Sequence, residues 1–542
     1  MRLIFLPLIF LLFSGPLQAE DRAKGPVLTT MSAAAGGEKP LGAFEPKLAH
    51  KLVLAGSRLE TLNFVLKLGG KGCKRISFSA LSSKTGPPRW FTLRFYEMLT
   101  IKSSQPSFPG AFVGKLYDPL LPVQDERICI DQVSGKWVWG ELDIPAQTPP
   151  GQYSGTIEFG ESSLPLELTV WKMTIPDKPA LPSYTEMSTW YNLKGHFGEW
   201  RSQEAELAQK YIAELRKHRI IDITTLIAWP PVIKTGERFR LDIKNSPTPD
   251  RSFAAINLQQ RPAWAYFGFP TVPPSDISLK KTDEYLQAVE GTLPEINRPG
   301  KAIIYLWDEP KKEDLPRLIE YCKKVRRLAA PLKIMVTTHY LPELEGLVDI
   351  FVPVMDLFEA KNFPGPEQYR KLQKNGREIW WYVSCMSHGC EALQDSGRPD
   401  FVIDRPSAYI RSIAWLAHKY GINGFLYYFV NYAYQFYPER DPWQSLWDFS
   451  GHGDGTLFYP GRISERGLKA ETPLPSIRLK LWRETSYDAE YLKWIDSVSP
   501  KPAWWTAEFA GLVQDTQKWS RDYARYHDLR RRVGQYLNQV PE

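Results

Sequence analysis

The chain has 542 residues, of which 43% are hydrophobic and 24% are charged, and its formal net charge is +7. These fractions are typical of a globular protein and exclude a largely disordered chain, and the length exceeds what one ordinary hydrophobic core needs. The small positive excess comes without a dense basic stripe, so nucleic acid is not an expected partner. We therefore expect two domains, or a barrel with additions.

The N-terminus has the pattern of a secretory signal peptide. An apolar run from Leu3 to Phe13 is followed by helix-breaking residues and then by the small residue Ala19. The run is well short of the ~20 residues that cross a bilayer, which disfavours a transmembrane anchor. We expect residues 1–19 to be removed and the mature protein to be periplasmic or secreted.

Short extended segments broken by Gly, Pro and Ser occupy residues 26–176, for example WFTLRFYEML and YSGTIEFG. Alternating side chains with turns at close intervals predict an antiparallel β-sandwich domain. This region contains no acid pair or other catalytic grouping, so its expected role is to pack against the next domain. The linker TIPDKPALP, with three prolines, marks the boundary.

Five cysteines are present: Cys73, Cys129, Cys322, Cys385 and Cys390. They show no CxxC spacing and no matching histidine pairs, so we expect no metal and no other cofactor. An oxidising compartment permits disulfides, and the candidate pairs are Cys73 with Cys129 and Cys385 with Cys390, although spacing does not determine connectivity. Cys322, on a predicted helix, is expected to be buried and inert.

Strand-like and helix-like segments alternate through residues 183–470. The eight strand candidates are 183–190, 220–227, 263–269, 301–307, 332–338, 348–354, 377–384 and 424–430, with amphipathic helices between several of them. Eight strands alternating with helices predict a (β/α)8 TIM-like barrel. A doubly wound sheet is the alternative, because the connection between the second and third strands is long and that between the fifth and sixth is short.

The fourth of these strands ends in two adjacent acids. In KAIIYLWDEP (301–310) an extended run leads into Asp308 and Glu309, and Pro310 biases Glu309 away from helical backbone. Successive side chains on a flat strand point to opposite faces, so both acids serve one pocket only if the strand bends there. Capping of the following helix is the alternative role. Because barrel active sites lie at the C-terminal ends of the strands, the position favours catalysis.

Polar and aromatic side chains follow other predicted strands. Sugars present apolar C–H faces that stack on aromatic rings. The expected substrate contacts are Trp229, Trp307, His339, Tyr340, Tyr382, Tyr428, Asn431 and Trp443. A long loop rich in aromatic residues leaves the eighth strand and is expected to reach over the barrel mouth.

The last part of the chain, residues 471–542, is predicted to be helical and to pack on the barrel. Its final segment repeats apolar and aromatic residues at helical spacing and carries Arg530, Arg531 and Arg532. We expect these arginines to form a solvated basic face.

Four stretches carry a family resemblance: YLWDEP, NYAYQFYPERDPW, GDGTLFYPG and PSIRLKLWRETSYDAEYL, beginning at residues 305, 431, 453 and 475. With these motifs in this order, the sequence resembles glycoside hydrolase family 123, which contains bacterial β-N-acetylgalactosaminidases, and the related catalytic domain of unknown function 4091. The predicted architecture agrees over nearly all of the mature chain. Family members usually show an acidic, glycine-containing run where this chain has Glu484, Thr485 and Ser486.

The resemblance implies substrate-assisted retaining hydrolysis of a glycan that bears a 2-acetamido sugar. In that mechanism Glu309 protonates the departing glycosidic oxygen and later deprotonates water. Asp308 stays ionised, accepts the acetamido N–H and stabilises the positive charge that develops there. A preference for N-acetylgalactosamine follows from the family alone.

Two other interpretations stay open. One is a two-carboxylate glycosidase acting on another glycan, with Glu309 as the acid and Asp356 or Asp441 as nucleophile or base. The other is a non-catalytic carbohydrate-binding envelope protein. The sequence indicates no oligomeric state.

Overall fold

The structure is a computed structural model, and it describes residues 28–32, 49–83, 86–131, 135–199, 205–222, 232–242, 261–269, 279–297, 300–390 and 394–541. The predicted signal peptide, residues 1–19, lies outside these ranges. So does Trp229, one of the predicted substrate contacts.

In the described ranges, the regular elements of the N-terminal region are all strands. They are β1 (Leu28–Ser32), β2 (Leu52–Arg58), β3 (Thr61–Leu68), β4 (Gly72–Phe78), β5 (Leu81–Ser83), β6 (Gly86–Arg89), β7 (Thr92–Ser103), β8 (Gly114–Pro122), β9 (Arg127–Ile130), β10 (Lys136–Asp143), β11 (Gly151–Phe159) and β12 (Ser162–Thr174). One sheet has the order β1-β3-β10-β7-β8, and the other has β2-β12-β11-β4-β9 with β5 and β6 attached to β11.

The two N-terminal sheets form a sandwich. Alternate residues of β3 and β12 meet in one core, for example Phe64 and Leu66 with Leu166 and Leu168. The expected β-rich N-terminal region is therefore confirmed. Its strands are not all antiparallel, however, because β12 pairs with β2 in the parallel direction. The predicted disulfide between Cys73 and Cys129 is formed, and these residues face each other on β4 and β9.

Eight short parallel strands form the second large sheet. They are β13 (Ser183–Thr185), β14 (Ile220–Asp222), β17 (Phe267–Phe269), β18 (Ala302–Asp308), β19 (Lys333–Thr337), β20 (Ile350–Phe351), β21 (Glu378–Val383) and β22 (Gly424–Tyr427). Each lies within or overlaps one of the eight predicted segments. Their order is β14-β13-β22-β21-β20-β19-β18-β17, so each strand lies beside its neighbours in chain order and the first beside the last. This cyclic order differs from that of a doubly wound sheet.

The sheet is strongly curled, and its two edges approach each other. Tyr184 of β13 stacks on Trp380 of β21 with ring centroids 4.7 Å apart, and its hydroxyl accepts a hydrogen bond from the backbone N–H of Tyr266 beside β17. The Arg261 guanidinium donates to the carbonyl oxygens of Asp222 and Tyr266, at 2.5 and 2.6 Å. A side chain thus bridges β14 and β17. A closed (β/α)8 barrel is not shown, because no backbone ladder joins these edges in the described parts of the chain.

Helices cover one face of the parallel sheet, which we call the helix side. They are α1 (Thr189–Phe197), α2 (Ala205–Lys217), α3 (Leu279–Ile296), α4 (Leu315–Leu328), α5 (Met355–Phe358), α6 (Pro366–Lys374) and α7 (Ala408–Tyr420). Side chains on the opposite face, the inner face, form a separate cluster that includes Tyr184, Ile303, Met335, Trp380 and Leu426. The sheet therefore has two buried faces, as parallel sheets do.

Small hairpins and further helices complete the chain. The remaining elements are β15 (Val232–Thr235), β16 (Arg238–Leu241), β23 (Trp447–Asp448), β24 (Gly451–His452), β25 (Phe458–Gly461), β26 (Thr472–Pro475), α8 (Ile463–Arg466), α9 (Ile477–Ser497), α10 (Trp505–Leu512) and α11 (Tyr523–Gln539). The C-terminal helices are confirmed. Within the described ranges, no helix has the length and apolarity needed to span a bilayer.

The predicted basic face of the last helix is wrong at one position. Arg530 of α11 is buried and donates to the Glu60 carboxylate at 2.5 Å. Glu60 lies between β2 and β3, so this arginine joins the C-terminal helix to the sandwich. Its partner is distant in sequence, and helical spacing alone does not identify it.

Candidate active site

The strand that ends in the two acids contains a β-bulge. In the pairing of β18 with β19, Tyr305 lies opposite Met335, but the next partners are Trp307 and Val336, so Leu306 is an extra residue. Leu306 and Trp307 both pack on the helix side, whereas Tyr305 packs on the inner face. A bulge shifts the alternation by one residue. Asp308 therefore returns to the inner face, where a regular strand would have placed Trp307.

Two hydroxyl groups hold the Asp308 carboxylate. Its Oδ1 accepts from the Tyr305 hydroxyl at 2.6 Å and from Thr337 Oγ1 at 2.7 Å. Burial, together with the charges of Asp308 and Glu186, raises the pKa of Tyr305 well above its usual range, so this hydroxyl stays protonated and donates. Asp308 itself is exposed. Its carboxylate is thus oriented from one side and accessible from the other.

The next residue turns the chain back towards the same face. Glu309 has φ of 47°, in the left-handed region that non-glycine residues rarely adopt. Its backbone N–H donates to Thr337, at 3.1 Å to the carbonyl oxygen and 3.0 Å to Oγ1. Its Oε1 accepts a hydrogen bond from the hydroxyl of Tyr382, which lies on the inner face. The bulge and the left-handed residue together bring two adjacent acids to one face.

Neither acid caps the following helix. α4 begins at Leu315, after a short 3-10 turn, and the backbone N–H of Lys311 donates to Asp314 Oδ2 at 2.9 Å. The local carboxylate at this helix start is therefore Asp314. The capping role considered for Asp308 and Glu309 is wrong.

Aromatic side chains form a floor on the inner face. Tyr184, Tyr266 and Trp380 pack together, and the indole N–H of Trp380 donates to Glu378 at 3.1 Å. Lys333 Nζ donates to the same carboxylate at 2.6 Å. Because alternate residues share a face, Tyr382 lies one step beyond Trp380 towards the strand end. The floor is thus closed by packed rings and a paired charge, and the acids stand at the opposite, C-terminal side.

A third carboxyl belongs to this arrangement and is absent from the sequence predictions. Glu186 follows β13 two residues after Tyr184, so alternation continues the inner row to it. Burial, and then the charges of Asp308 and Asp222, raise the pKa of Glu186 to about 8. A single acid in phase with Tyr184, within the segment SYTEMSTW, is the sequence signal that would have identified it.

The structure brings Tyr382 together with the acids, and it places Tyr428 in an aromatic cluster beyond the eighth strand. The Tyr428 ring lies 5.2 Å from that of Tyr427 and 5.6 Å from that of Phe449, and Tyr432 is 4.9 Å from Phe449. Phe449 is 44% exposed. This cluster is the part of the predicted aromatic loop that presents rings to solvent.

Two other predicted contacts, Trp307 and Tyr340, pack on the helix side, and a third, His339, lies against Phe363. Trp307 packs on the helix side beside Tyr321 and the Arg317 guanidinium. Tyr340 is buried in the helix-side core, and its hydroxyl donates to Glu345 at 2.5 Å. The ring of His339 lies 4.9 Å from Phe363, and burial lowers its pKa.

The polar groups of Asn431 and Trp443 are satisfied by other parts of the chain. Asn431 is fully buried, accepts from the Ser188 N–H at 3.2 Å and donates to Asn192 Oδ1 at 2.6 Å. Trp443 donates its indole N–H to the Pro460 carbonyl at 2.9 Å, and the Arg466 guanidinium covers its ring. Asn431 therefore connects its loop to the start of α1, and Trp443 connects its loop to β25.

The two acids named for the two-carboxylate mechanism, Asp356 and Asp441, have different partners from those of Asp308 and Glu309. Asp441 is bound by Arg462 at 3.1 Å. Asp356 is buried and accepts from Ser387 Oγ at 2.7 Å, and burial raises its pKa despite that hydrogen bond. Ser387 lies in the loop closed by the second predicted disulfide, Cys385–Cys390, which is also formed. Cys322 is free and buried, as expected.

Comparison with known proteins gives a strong likeness to a glycoside hydrolase family. A sequence model described as the glycoside hydrolase 123 catalytic domain matches residues 252–495. A family 123 glycoside hydrolase from Clostridium perfringens, described in a study of glycolipid glycan hydrolysis, has a similar structure. The TM-score is 0.67 at 12% identity, and the likeness covers 95% of this chain and 98% of that one.

Other matches add nothing to this result. A putative α-galactosidase/melibiase from Bacteroides fragilis shares 10% identity over 71% of this chain and 74% of that chain, with a TM-score of 0.20 that is too low to support an argument. No curated protein matches the chain significantly. The resemblance of the sequence motifs is nevertheless confirmed by the family match, which includes Asp308, Glu309 and Tyr382. Residues 252–495 therefore match the glycoside hydrolase family 123 catalytic domain, and this match supports a glycosidase.

Proposed function

We propose that the protein removes β-linked N-acetylhexosamine, with N-acetylgalactosamine preferred, by substrate-assisted retaining hydrolysis. The observation that carries the proposal is the pair Asp308 and Glu309, two adjacent acids on one face with different partners. Asp308 is held by two hydroxyl donors, and Glu309 is held by Tyr382. Different surroundings suit two carboxyls to different tasks.

In the first step the substrate supplies the nucleophile. The carbonyl oxygen of the 2-acetamido group attacks the anomeric carbon, the bond from that carbon to the glycosidic oxygen breaks, and Glu309 gives its proton to the departing oxygen. Asp308 accepts the acetamido N–H and stabilises the oxazolinium ion by its negative charge. The donors on Asp308 Oδ1 fix the carboxylate, so that Oδ2 is available to the substrate.

In the second step water attacks the anomeric carbon from the side that the leaving group vacated. Glu309, now ionised, takes a proton from this water. The bond between the anomeric carbon and the acetamido oxygen breaks, which restores the acetamido group. The sugar is released with its original anomeric configuration. No separate enzyme nucleophile is needed. The pairing of Asp441 with Arg462 and the raised pKa of buried Asp356 favour this route over the two-carboxylate alternative.

We further propose that the protein acts outside the cytoplasm. The N-terminal pattern of a signal peptide supports this, and so do two disulfides, which persist in oxidising compartments.

Turnover of chromogenic β-N-acetylgalactosaminide and β-N-acetylglucosaminide tests the proposal. Because each acid acts in the transition state, Glu309→Gln and Asp308→Asn should each lower kcat/KM by about 10²–10⁴-fold. A thiazoline that mimics the oxazolinium should inhibit the wild type. Asp441→Asn, which removes an acid assigned no chemical role, is the control and should stay within a few-fold of wild type.

The outcomes separate the alternatives. Failure of the wild type to cleave either glycoside contradicts the substrate assignment, and turnover without thiazoline inhibition contradicts the mechanism. Loss of activity in Asp441→Asn or Asp356→Asn equal to that in Asp308→Asn would instead support two separated carboxylates.

A further inference from the structure

We propose that Glu186 is a substrate-binding residue, a protonated carboxyl that donates a hydrogen bond to a sugar hydroxyl on the side of the pocket opposite Asp308. This deepens the proposed function and rests on it for the identity of the sugar. Glu186 lies outside residues 252–495, the range that the family match covers. The active site would thus include a group from the strand that follows the sandwich domain.

The position of Glu186 follows from the inner row of β13. Tyr184 is almost fully buried in the aromatic floor, stacked on Trp380 with an interplanar angle of 11°. The next inner position on the same chain, towards the C-terminal ends of the strands, is Glu186. In the same way, Tyr382 is the next inner-face position after Trp380 on β21. Glu186 and Tyr382 therefore lie one layer above the floor, at the level of the acids.

Glu186 faces Asp308 across the inner face of the curled sheet, and the two residues do not belong to neighbouring strands. Four strands, β22, β21, β20 and β19, separate β13 from β18 in the sheet. Even so, the charge of Asp308 acts on Glu186, and the charge of Glu186 acts on Tyr305, which donates to Asp308. The carboxyls of Glu186 and Asp308, from strands far apart in the sheet, thus face the same space.

The groups that face Glu186 determine its protonation. They are Asp308 and Tyr305 from β18 and Asp222 from β14. All are acids or a neutral hydroxyl, and burial removes much of the hydration that would stabilise a carboxylate. The pKa of Glu186 is accordingly raised to about 8, by burial first and then by Asp308 and Asp222. At neutral pH Glu186 is an uncharged group that can donate.

A neutral carboxyl is chemically distinct from the other two acids in this site. A sugar hydroxyl both donates and accepts, and a protonated Glu186 can satisfy its acceptor lone pair while Asp308 accepts elsewhere on the same ring. Ionisation above about pH 8 would remove the donor and place a negative charge opposite Asp308. Substrate binding should therefore weaken as pH rises through that value.

The test compares Glu186→Gln, Glu186→Ala and the exposed-site control Glu206→Gln, with kcat and KM measured from about pH 5 to pH 10 on the cleaved glycoside. A glutamine is neutral and keeps a donor, so Glu186→Gln should stay within about threefold of wild type at pH 6 and lose the alkaline rise in KM. Glu186→Ala should raise KM about tenfold with a smaller change in kcat, since one hydrogen bond is lost. Glu206→Gln should reproduce the wild-type profile.

Two results would overturn the inference. One is a Glu186→Gln variant as impaired as Glu186→Ala at pH 6, because a carboxylate would then be required. The other is an unchanged alkaline rise in KM in Glu186→Gln, because the titrating group would then be a different one. Matching thermal unfolding midpoints of the variants would show that both results come from folded protein.

A second measurement separates this inference from the proposed function. If the wild type cleaves neither glycoside, the proposed function fails, and Glu186 is then examined by carbon-13 NMR titration of labelled glutamate carboxyls. A carboxyl that titrates near pH 8 in the wild type and is missing from Glu186→Gln supports the protonated donor. Absence of such a signal in the wild type overturns it, whatever the enzyme hydrolyses.

Discussion

Charged side chains gather in two regions of the molecule, and their neighbours differ between the two regions. Around α9, arginines are paired with carboxylates in the interior. Arg411 donates to both oxygens of Asp488 at 2.7 and 2.8 Å, and Arg478 donates to both oxygens of Asp118 at 3.0 and 2.9 Å. Asp118 lies on β8, so its pair with Arg478 joins the sandwich to α9, whereas the pair of Arg411 with Asp488 joins α7 to α9. In this region each charge has an opposite charge beside it.

The C-terminal side of the inner face shows the opposite pattern. Asp308 and Glu309 are hydrogen-bonded by neutral hydroxyls, and Glu186 faces further acids. In the part of the chain that the structure describes, no lysine, arginine or histidine forms an ion pair with these three side chains. Acids gathered without a cation oppose folding, because each raises the cost of ionising the next.

The difference indicates what each region is for. Paired charges in the interior hold one arrangement of the two domains, since removing either partner leaves an unpaired buried charge. Acids without a paired cation, placed at strand ends and accessible to ligand, are instead free to contact a substrate. A cluster of charged side chains alone therefore does not distinguish a structural site from a functional one. The sign of the neighbouring charges does.

The largest expected effect on stability comes from breaking a pair beside α9. Asp488→Asn removes the two-fold carboxylate partner of the buried Arg411 guanidinium, which then keeps only its bond to Glu484 at 3.0 Å. The free energy of unfolding should fall by about 3 kcal/mol. Glu309→Gln, which removes a charge from the acid cluster, should leave it unchanged or slightly higher. Denaturant unfolding of the two variants is the measurement, and equal destabilisation would contradict the contrast between the regions.

A smaller effect, on activity, is expected from Tyr382→Phe. The variant keeps the ring on the inner face but removes the hydroxyl that donates to Glu309. Loss of this hydrogen bond, worth about 1 kcal/mol, should lower kcat/KM about fivefold. The matched control is Tyr420→Phe, whose hydroxyl donates to Glu359 on the helix side. If both variants keep wild-type kcat/KM, Tyr382 does not position Glu309.

Much of the parallel sheet could be predicted from the sequence. Runs of apolar and β-branched residues between helix signals locate all eight strands, because a strand buried on both faces is continuously hydrophobic. The same reasoning places KAIIYLWDEP fourth and its acids at the C-terminal edge. The two disulfides could be named as candidate pairs because Cys73 and Cys129 share one domain and Cys385 and Cys390 share one loop.

The local geometry of the site was not accessible in this way. The bulge at Leu306 and the left-handed φ of Glu309 depend on pairing with β19 and on donation to Thr337, which lie about thirty residues further along the chain. Asn431 was predicted as a sugar contact from its position after the eighth strand and Trp443 from its place in the aromatic loop, but distant partners determine their orientation. Glu186 lies just beyond the three-residue strand β13, and its phase with Tyr184 was a signal that the sequence predictions did not use.

A further expected effect, on stability, concerns a pair at the border between the two regions. His388 Nε2 lies 2.9 Å from Asp454 Oδ2, and the pair is buried near Tyr428. Burial lowers the pKa of His388, but the hydrogen bond and charge of Asp454 raise it further, so that it lies above the usual value. The folded state thus holds this proton more tightly than the unfolded chain. Its stabilising effect is complete below about pH 6.5 and is lost as pH rises through the folded-state pKa.

His388→Gln should therefore cost about 1 to 2 kcal/mol of unfolding free energy near pH 6, and this cost should shrink as pH rises towards 9. His452→Gln is the matched control, because burial and Arg478 lower the pKa of His452 to about 4 and keep it neutral over this range. Its effect on stability should not vary with pH. Urea unfolding at several pH values measures both. If the loss of unfolding free energy in His388→Gln also did not vary with pH, Asp454 would not hold a charged partner. The pair would then resemble the cation-free acids rather than the ion pairs around α9.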